Sequence, residues 1–188
     1  RAREVIGYDR KLFIDVNNGW ENHKLTASYL KELEALNVDW IEEPFMPDEI
    51  EEVKKLKKRT SIPIANGEIL STRWDFKQLL DEDCADIWQP DVTVIGGITE
   101  WKKIISLAQI YNIPVAPHTM HEVHIHLAAA SPDPYPFIIE YFDTTGDIFN
   151  YGKLLKNPLK AKDGYIEVPD EIGAGMNFDE DLLTKYEI

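Results

Sequence analysis

A chain of 188 residues with 44% hydrophobic and 29% charged side chains is long enough for one domain with a real core, and its composition is that of an ordinary globular protein. A formal charge of −14 with no basic stripe argues against nucleic acid as a partner, and the one cysteine, Cys84, excludes an internal disulfide. No apolar run is long enough to cross a bilayer and no signal-peptide pattern opens the chain, so no membrane partner and a reducing, cytoplasmic location are expected.

In chain order, Arg1-Ala2-Arg3-Glu4-Val5-Ile6-Gly7 reads as the last turns of a helix ending at a C′ glycine, which suggests a piece of something longer. Strands are predicted over 11–15, 38–42, 62–66, 85–89, 113–117 and 137–141. Helical faces lie between them: Ala27, Leu30, Leu33 and Leu36; Ile50, Val53 and Leu56; Phe76, Leu79 and Leu80 after a Ser71-Thr72 cap; Ile98, Trp101, Ile105 and Ala108; and a shorter one over 127–130. The second helix runs from Asp48, Glu49, Glu51 and Glu52 to Lys54, Lys55, Lys57, Lys58 and Arg59, which complements the helix dipole and reads as a solvated face.

Strand and helix thus alternate with a unit of roughly 25 residues, the pattern of an α/β protein with a parallel sheet and helices outside. Six units fit an open doubly wound sheet or most of an eight-stranded barrel. The acids favour the barrel. Leu12-Phe13-Ile14-Asp15, Trp40-Ile41-Glu42-Glu43-Pro44 and Pro63-Ile64-Ala65-Asn66-Gly67-Glu68 are apolar runs that each end in a carboxylate. A barrel brings successive strand ends round one mouth, whereas an open sheet spreads them along an edge. We therefore expect a partial TIM-type (β/α) barrel of about six units over residues 1–141 and an irregular extension with a small hairpin over 142–188. Two first strands are expected upstream, with the extension packed against a part of the protein outside this chain.

Asp15, Glu42 and Glu68 offer oxygen ligands, which suit Mg²⁺ and not zinc. The bland alternative, helix capping by acids in βα loops, explains one such residue better than three in succession. Glu43 should point away from Glu42 by side alternation and serve structure. Gln89-Pro90-Asp91 and Ala116-Pro117-His118 end the next two strands, where an aspartate can fix the imidazole tautomer and raise its basicity. Glu140, in Ile138-Ile139-Glu140-Tyr141, is a hydrogen-bond donor if protonated. His121, His124 and His126 are expected at the pocket rim or in solvent, since His121-Glu122-Val123-His124 is one residue short of a zinc-protease motif. Gly96-Gly97 reads as a tight turn. Trp40, Trp74, Trp88 and Trp101 read as core or inter-helix packing, and Trp20 as a pocket edge.

Asp15-Val16-Asn17, Trp40-Ile41-Glu42-Glu43-Pro44, Asn66-Gly67-Glu68, Gln89-Pro90-Asp91 with Gly96-Gly97, and Pro117-His118 resemble the enolase superfamily, most of all its mandelate racemase subgroup. The likeness runs over about residues 1–178 and includes Asp163-Gly164-Tyr165-Ile166-Glu167-Val168-Pro169. It implies a barrel closed by a capping domain and Mg²⁺-assisted removal of the proton next to a carboxylate. It places the metal ligands at Asp15, Glu42 and Glu68, the acid–base pair at His118 and Asp91, and the donor to the enolate at Glu140. The muconate-lactonising subgroup would carry a lysine at the end of the fourth strand, and Asp86-Ile87-Trp88-Gln89-Pro90-Asp91 has none. The family's lysine pair on an earlier strand would lie before Arg1.

The expected reaction is dehydration of a small anionic sugar acid to a 2-keto-3-deoxy acid by a homo-oligomeric enzyme. Its rivals are racemisation or epimerisation of a 2-hydroxy acid, a Mg²⁺-binding receiver-like module, and a non-catalytic fragment. A receiver needs a lysine near its last strand end, and Ile138–Tyr141 offers none.

Overall fold

The computed structural model describes residues 1–143 and 151–186. Helix α1 (Ala2–Ile6) leads into strand β1 (Phe13–Asp15), followed by α2 (His23–Ala35), β2 (Trp40–Glu42), α3 (Ile50–Lys57), β3 (Ile64–Asn66), α4 (Arg73–Asp81), β4 (Ile87–Trp88), α5 (Ile98–Tyr111) and α6 (His121–Ala130). The four strands are parallel and lie in the order β1-β2-β3-β4. Each strand sits beside its predecessor, the winding of a barrel wall. A doubly wound sheet reverses its order part-way.

Side alternation along the strands divides the interior in two. Ile14, Ile41, Ile64, Trp88 and Val115 face outward and pack with Val53, Leu56, Phe76, Leu79, Trp101, Ile104 and Ile105 of the helices. Phe13, Trp40, Ala65, Ile87, Ala116 and Ile138 face inward and form a second, smaller apolar cluster. The inward cluster is the floor beneath the strand ends.

The helices form where their periodicity places them because their ends are capped. Asn22 accepts from the N–H groups of Lys24 and Leu25 at the start of α2. Thr72 and Asp75 form a reciprocal capping box on α4. Asn112, in the left-handed conformation, ends α5. Buried Arg3 donates to the carbonyls of Leu36 and Asn37 at 2.7 Å each, which satisfies the exit of α2.

Two predicted strands differ. Residues 113–117 make a single bridge, Trp88 to Val115. Residues 137–141 form no strand, and only the Phe137 N–H reaches the Val115 carbonyl, at 3.0 Å. Pro114, Pro117 and Pro136 remove the N–H donors that longer ladders need. Beyond them, Lys162 and Tyr165 close the expected hairpin around Asp163-Gly164, both at positive φ, and Leu155 bridges Phe178.

Candidate active site

Every inward-facing strand position ends at the same rim. Asp15 and Glu42 are directly opposed in the β1–β2 register, and Glu68 stands two residues beyond β3. Asp15, Glu42, Gln89 and Glu140 border a cavity of about 300 Å³, with Phe13, Trp40 and Ile138 below them. The indole of Trp40 is core, as expected, and belongs to the inward cluster, where it is also a wall of the cavity. It stacks on Phe13 with ring centroids 3.6 Å apart and donates to Oε2 of Glu42 at 3.1 Å. Trp88 and Trp101 are buried in the outer core as predicted, whereas Trp74 is exposed. Trp20 packs edge-on against Phe45 and does not border this cavity.

The carboxylates burden one another. Burial pushes the Glu42 carboxyl up, and the nearby charges of Asp15 and Glu140 add to it against hydrogen bonds from Gln89 and Trp40. Burial also pushes Glu68 up, to about 8, with Glu43, Glu42 and Asp15 adding to the effect and His118 opposing it. Glu43 is fully buried at φ 39, outside the extended conformation on which side alternation depends, and its Oε2 accepts from the Asn18 amide at 2.9 Å; burial, with the charges of Asp15 and Glu42 added, pushes its carboxyl up. Asp15 Oδ1 accepts from the Asn17 N–H at 2.8 Å.

Asp91 and His118 meet. His118 Nδ1 lies 3.0 Å from Asp91 Oδ2, and its Nε2 lies 3.5 Å from Glu68 Oε1. An ionised carboxylate only accepts, so Nδ1 carries a proton and Nε2 is the nitrogen turned toward Glu68. Burial would raise the Asp91 carboxyl, but donors outweigh it: His118, the N–H and hydroxyl of Thr93 at 2.7 Å each, and the Thr119 hydroxyl at 3.0 Å hold it down at about 2. Burial alone would lower the His118 imidazole. The bond to Asp91 and the charges of Glu68 and Glu140 reverse that, and its pKa is raised. Glu140 Oε2 accepts from the Thr119 N–H at 2.6 Å.

Thr93 and Thr119 were not singled out by sequence reasoning. Thr93 was legible, because Asp91-Val92-Thr93 is the spacing of an aspartate that accepts from the backbone two residues on. Thr119 was not, since its role depends on a turn with φ 45. The expectation for His121 and His124 is corrected: both are buried on α6, and His121 has Nε2 3.1 Å from Glu122 Oε1 and its ring centroid 4.9 Å from that of Tyr141. His126 is partly buried, with Nε2 3.2 Å from the Ala174 carbonyl.

Among the described residues, no three His, Cys, Asp or Glu side chains are drawn together closely enough to chelate an ion. The donor chemistry fits a hard divalent cation all the same. Asp15, Glu42 and Glu68 offer only oxygens, on adjacent units, and burial, with the charges of neighbouring carboxylates added, raises Glu42 and Glu68 in a way that positive charge would relieve.

A singly wound α/β wall with carboxylates collected at the C-terminal ends of its strands is the class that fold and site define. The chain belongs to the enolase C-terminal domain-like family, whose model matches residues 1–182. It is 34% identical to an L-talarate/galactarate dehydratase of Salmonella typhimurium over 95% of the chain and 43% of that protein. It is 32% identical to a D-galactarolactone cycloisomerase of Agrobacterium fabrum over 98% of the chain and 51% of that protein. The crystal structure of an L-talarate dehydratase from a Polaromonas species, complexed with Mg and L-glucarate, superposes with a TM-score of 0.81 at 31% identity, covering 97% of this chain and 48% of that one. The chain thus spans about half the length of the relatives it matches.

Proposed function

We propose that this chain carries the metal-binding acids and one acid–base pair of a sugar-acid dehydratase. The observation that supports it best is the His118 imidazole, fixed at Nδ1 by Asp91 and turned at Nε2 toward Glu68. A base that must meet a substrate at one nitrogen needs the other held and its charge compensated. The dehydratase names among the relatives favour loss of water as the outcome.

Asp15, Glu42 and Glu68 would hold Mg²⁺, which when bound supplies positive charge to a substrate carboxylate and so favours loss of the proton beside it. His118 acts through Nε2, either taking the C2 proton or delivering a proton to the departing 3-hydroxyl. Asp91 stays ionised throughout and stabilises the imidazolium. Glu140, oriented through Oε2 by the Thr119 N–H, would in its protonated form donate a hydrogen bond to the charge that develops on the substrate carboxylate. The balance is one proton from C2 and one hydroxide from C3, leaving together as water. The enol that remains becomes a 2-keto-3-deoxy acid.

The natural full-length protein, given Mg²⁺ and a panel of galactarate, L-talarate, D-galactonate and arabinonate, is expected to release a 2-keto-3-deoxy acid from at least one. His118→Asn should lose turnover by about 10²–10⁴-fold. The cycloisomerase relative favours a second reading, isomerisation without loss of water. Exchange of the C2 proton with solvent deuterium and no keto acid from any substrate would put racemisation or isomerisation in place of dehydration.

A further inference from the structure

One buried side chain ties together the two loops that deliver Asp91 and His118. His124, on α6, has no exposed surface. The Val92 N–H can only donate, so His124 Nε2, 3.1 Å away, accepts and carries no proton. The Thr119 carbonyl can only accept, so His124 Nδ1, 2.8 Å away, carries the proton and donates. Those two contacts define a neutral imidazole in the Nδ1–H tautomer, and burial pushes its pKa down in the same direction. The ring also packs against Trp101, with centroids 5.1 Å apart.

The backbone groups it holds are the immediate neighbours of the acid–base candidates: Val92 follows Asp91, and Thr119 follows His118. Thr119 and Met120 have φ of 45 and 38, a region a β-branched threonine seldom occupies. His124 binds the carbonyl of that turn. Thr119 in turn gives its hydroxyl to Asp91 and its N–H to Glu140. The network therefore runs from one loop, through a single imidazole, to the other loop and on to a third segment.

We propose that His124 is a positioning residue, a neutral imidazole strut that sets the separation of the 91–93 and 118–120 loops and so keeps His118 in contact with Asp91. The effect on turnover rests on the dehydratase reading; the placement of His118 does not. A histidine suits the task because one rigid ring offers a donor and an acceptor on opposite sides. Asparagine replaces the Nδ1-side donor alone, glutamine reaches the Nε2-side acceptor alone, and phenylalanine replaces neither.

The natural full-length protein labelled with ¹⁵N at histidine, the five of this chain included, reports each ring's tautomer by long-range ¹H–¹⁵N correlation. His124 is expected as the neutral Nδ1–H form throughout about pH 6–8. In a folded His124→Phe variant the His118 ring resonances, at one fixed pH, should move about as far as in Asp91→Asn, and less in His124→Asn. With galactarate or whichever panel member the parent dehydrates, kcat should fall about 10²-fold with KM nearly unchanged, the size expected of a misplaced reacting group. An Nε2–H or charged His124 in the parent overturns the strut, and this holds even if His124→Phe does not fold. Unmoved His118 resonances in a folded His124→Phe overturn it as well. A parent that forms no keto acid, with His118 resonances that still respond to His124, removes the dehydratase reading and leaves the strut standing.

Discussion

The indole N–H of Trp40 donates to Oε2 of Glu42 over 3.1 Å, between two residues on the same inward face of β2. An apolar residue two positions before a ligand candidate thus orients it, and the stack on Phe13 orients the indole. Trp40→Phe keeps the stack and removes the donor. Its expected effect is a loss of Mg²⁺ affinity of about 10–100-fold, the usual cost of removing an outer partner of a metal ligand. Titration calorimetry measures it, and unchanged affinity in a folded variant would show that Glu42 needs no such support.

His118 and Asp91 should fail together. If the pair acts as a unit, His118→Asn and Asp91→Asn each lower turnover, and the double variant is little worse than His118→Asn alone. Multiplicative losses in a four-way kinetic comparison would mean that the 3.0 Å contact does not couple them.

Acid should weaken the fold through Asp91. Its carboxyl is held at about 2 against an ordinary 3.8. A depressed value in the folded state contributes stability above the unfolded pKa, and that contribution is lost as pH falls from about 4 toward 2. The shift corresponds to about 2 kcal/mol at neutral pH. Asp91→Asn should therefore be less stable by about that amount at neutral pH, with a flatter stability profile over the acid range. Urea unfolding at a series of pH values gives both, and parallel profiles would assign the acid sensitivity elsewhere.

Gly67 precedes Glu68 with φ +129, and a Cβ there would lie 2.7 Å from Cε1 of Phe76 and 3.3 Å from the Gln89 nitrogen. Gly67→Ala incurs backbone strain of about 1–3 kcal/mol in addition to the clash. We expect lower thermal stability and weaker Mg²⁺ binding, since Glu68 moves with the turn. Gly67→Ala with Phe76→Leu should recover part of the stability, because the smaller side chain relieves the clash and leaves φ untouched. Full recovery by the double variant would leave no place for backbone strain.

The sequence by itself determined the alternation of strand and helix and placed Asp15, Glu42, Glu68 and Asp91 at or just past strand ends, and His118 just past the Val115 bridge. Both are local properties, set by hydrophobic period and by breakers such as Pro44 and Pro90. It overcounted strands for a related reason: apolar runs at 113–117 and 137–141 look like strands, but ladders need donors that prolines lack. What only the tertiary structure decided is which side chains meet across the sequence. Side alternation alone could not turn Trp40 into a cavity wall, because which face is inward depends on how the sheet is wound. Nor could the pattern of α6 separate a rim histidine from a buried one: His124 reads as polar in the chain, and becomes interior only because both of its nitrogens find backbone partners on loops that the fold brings together.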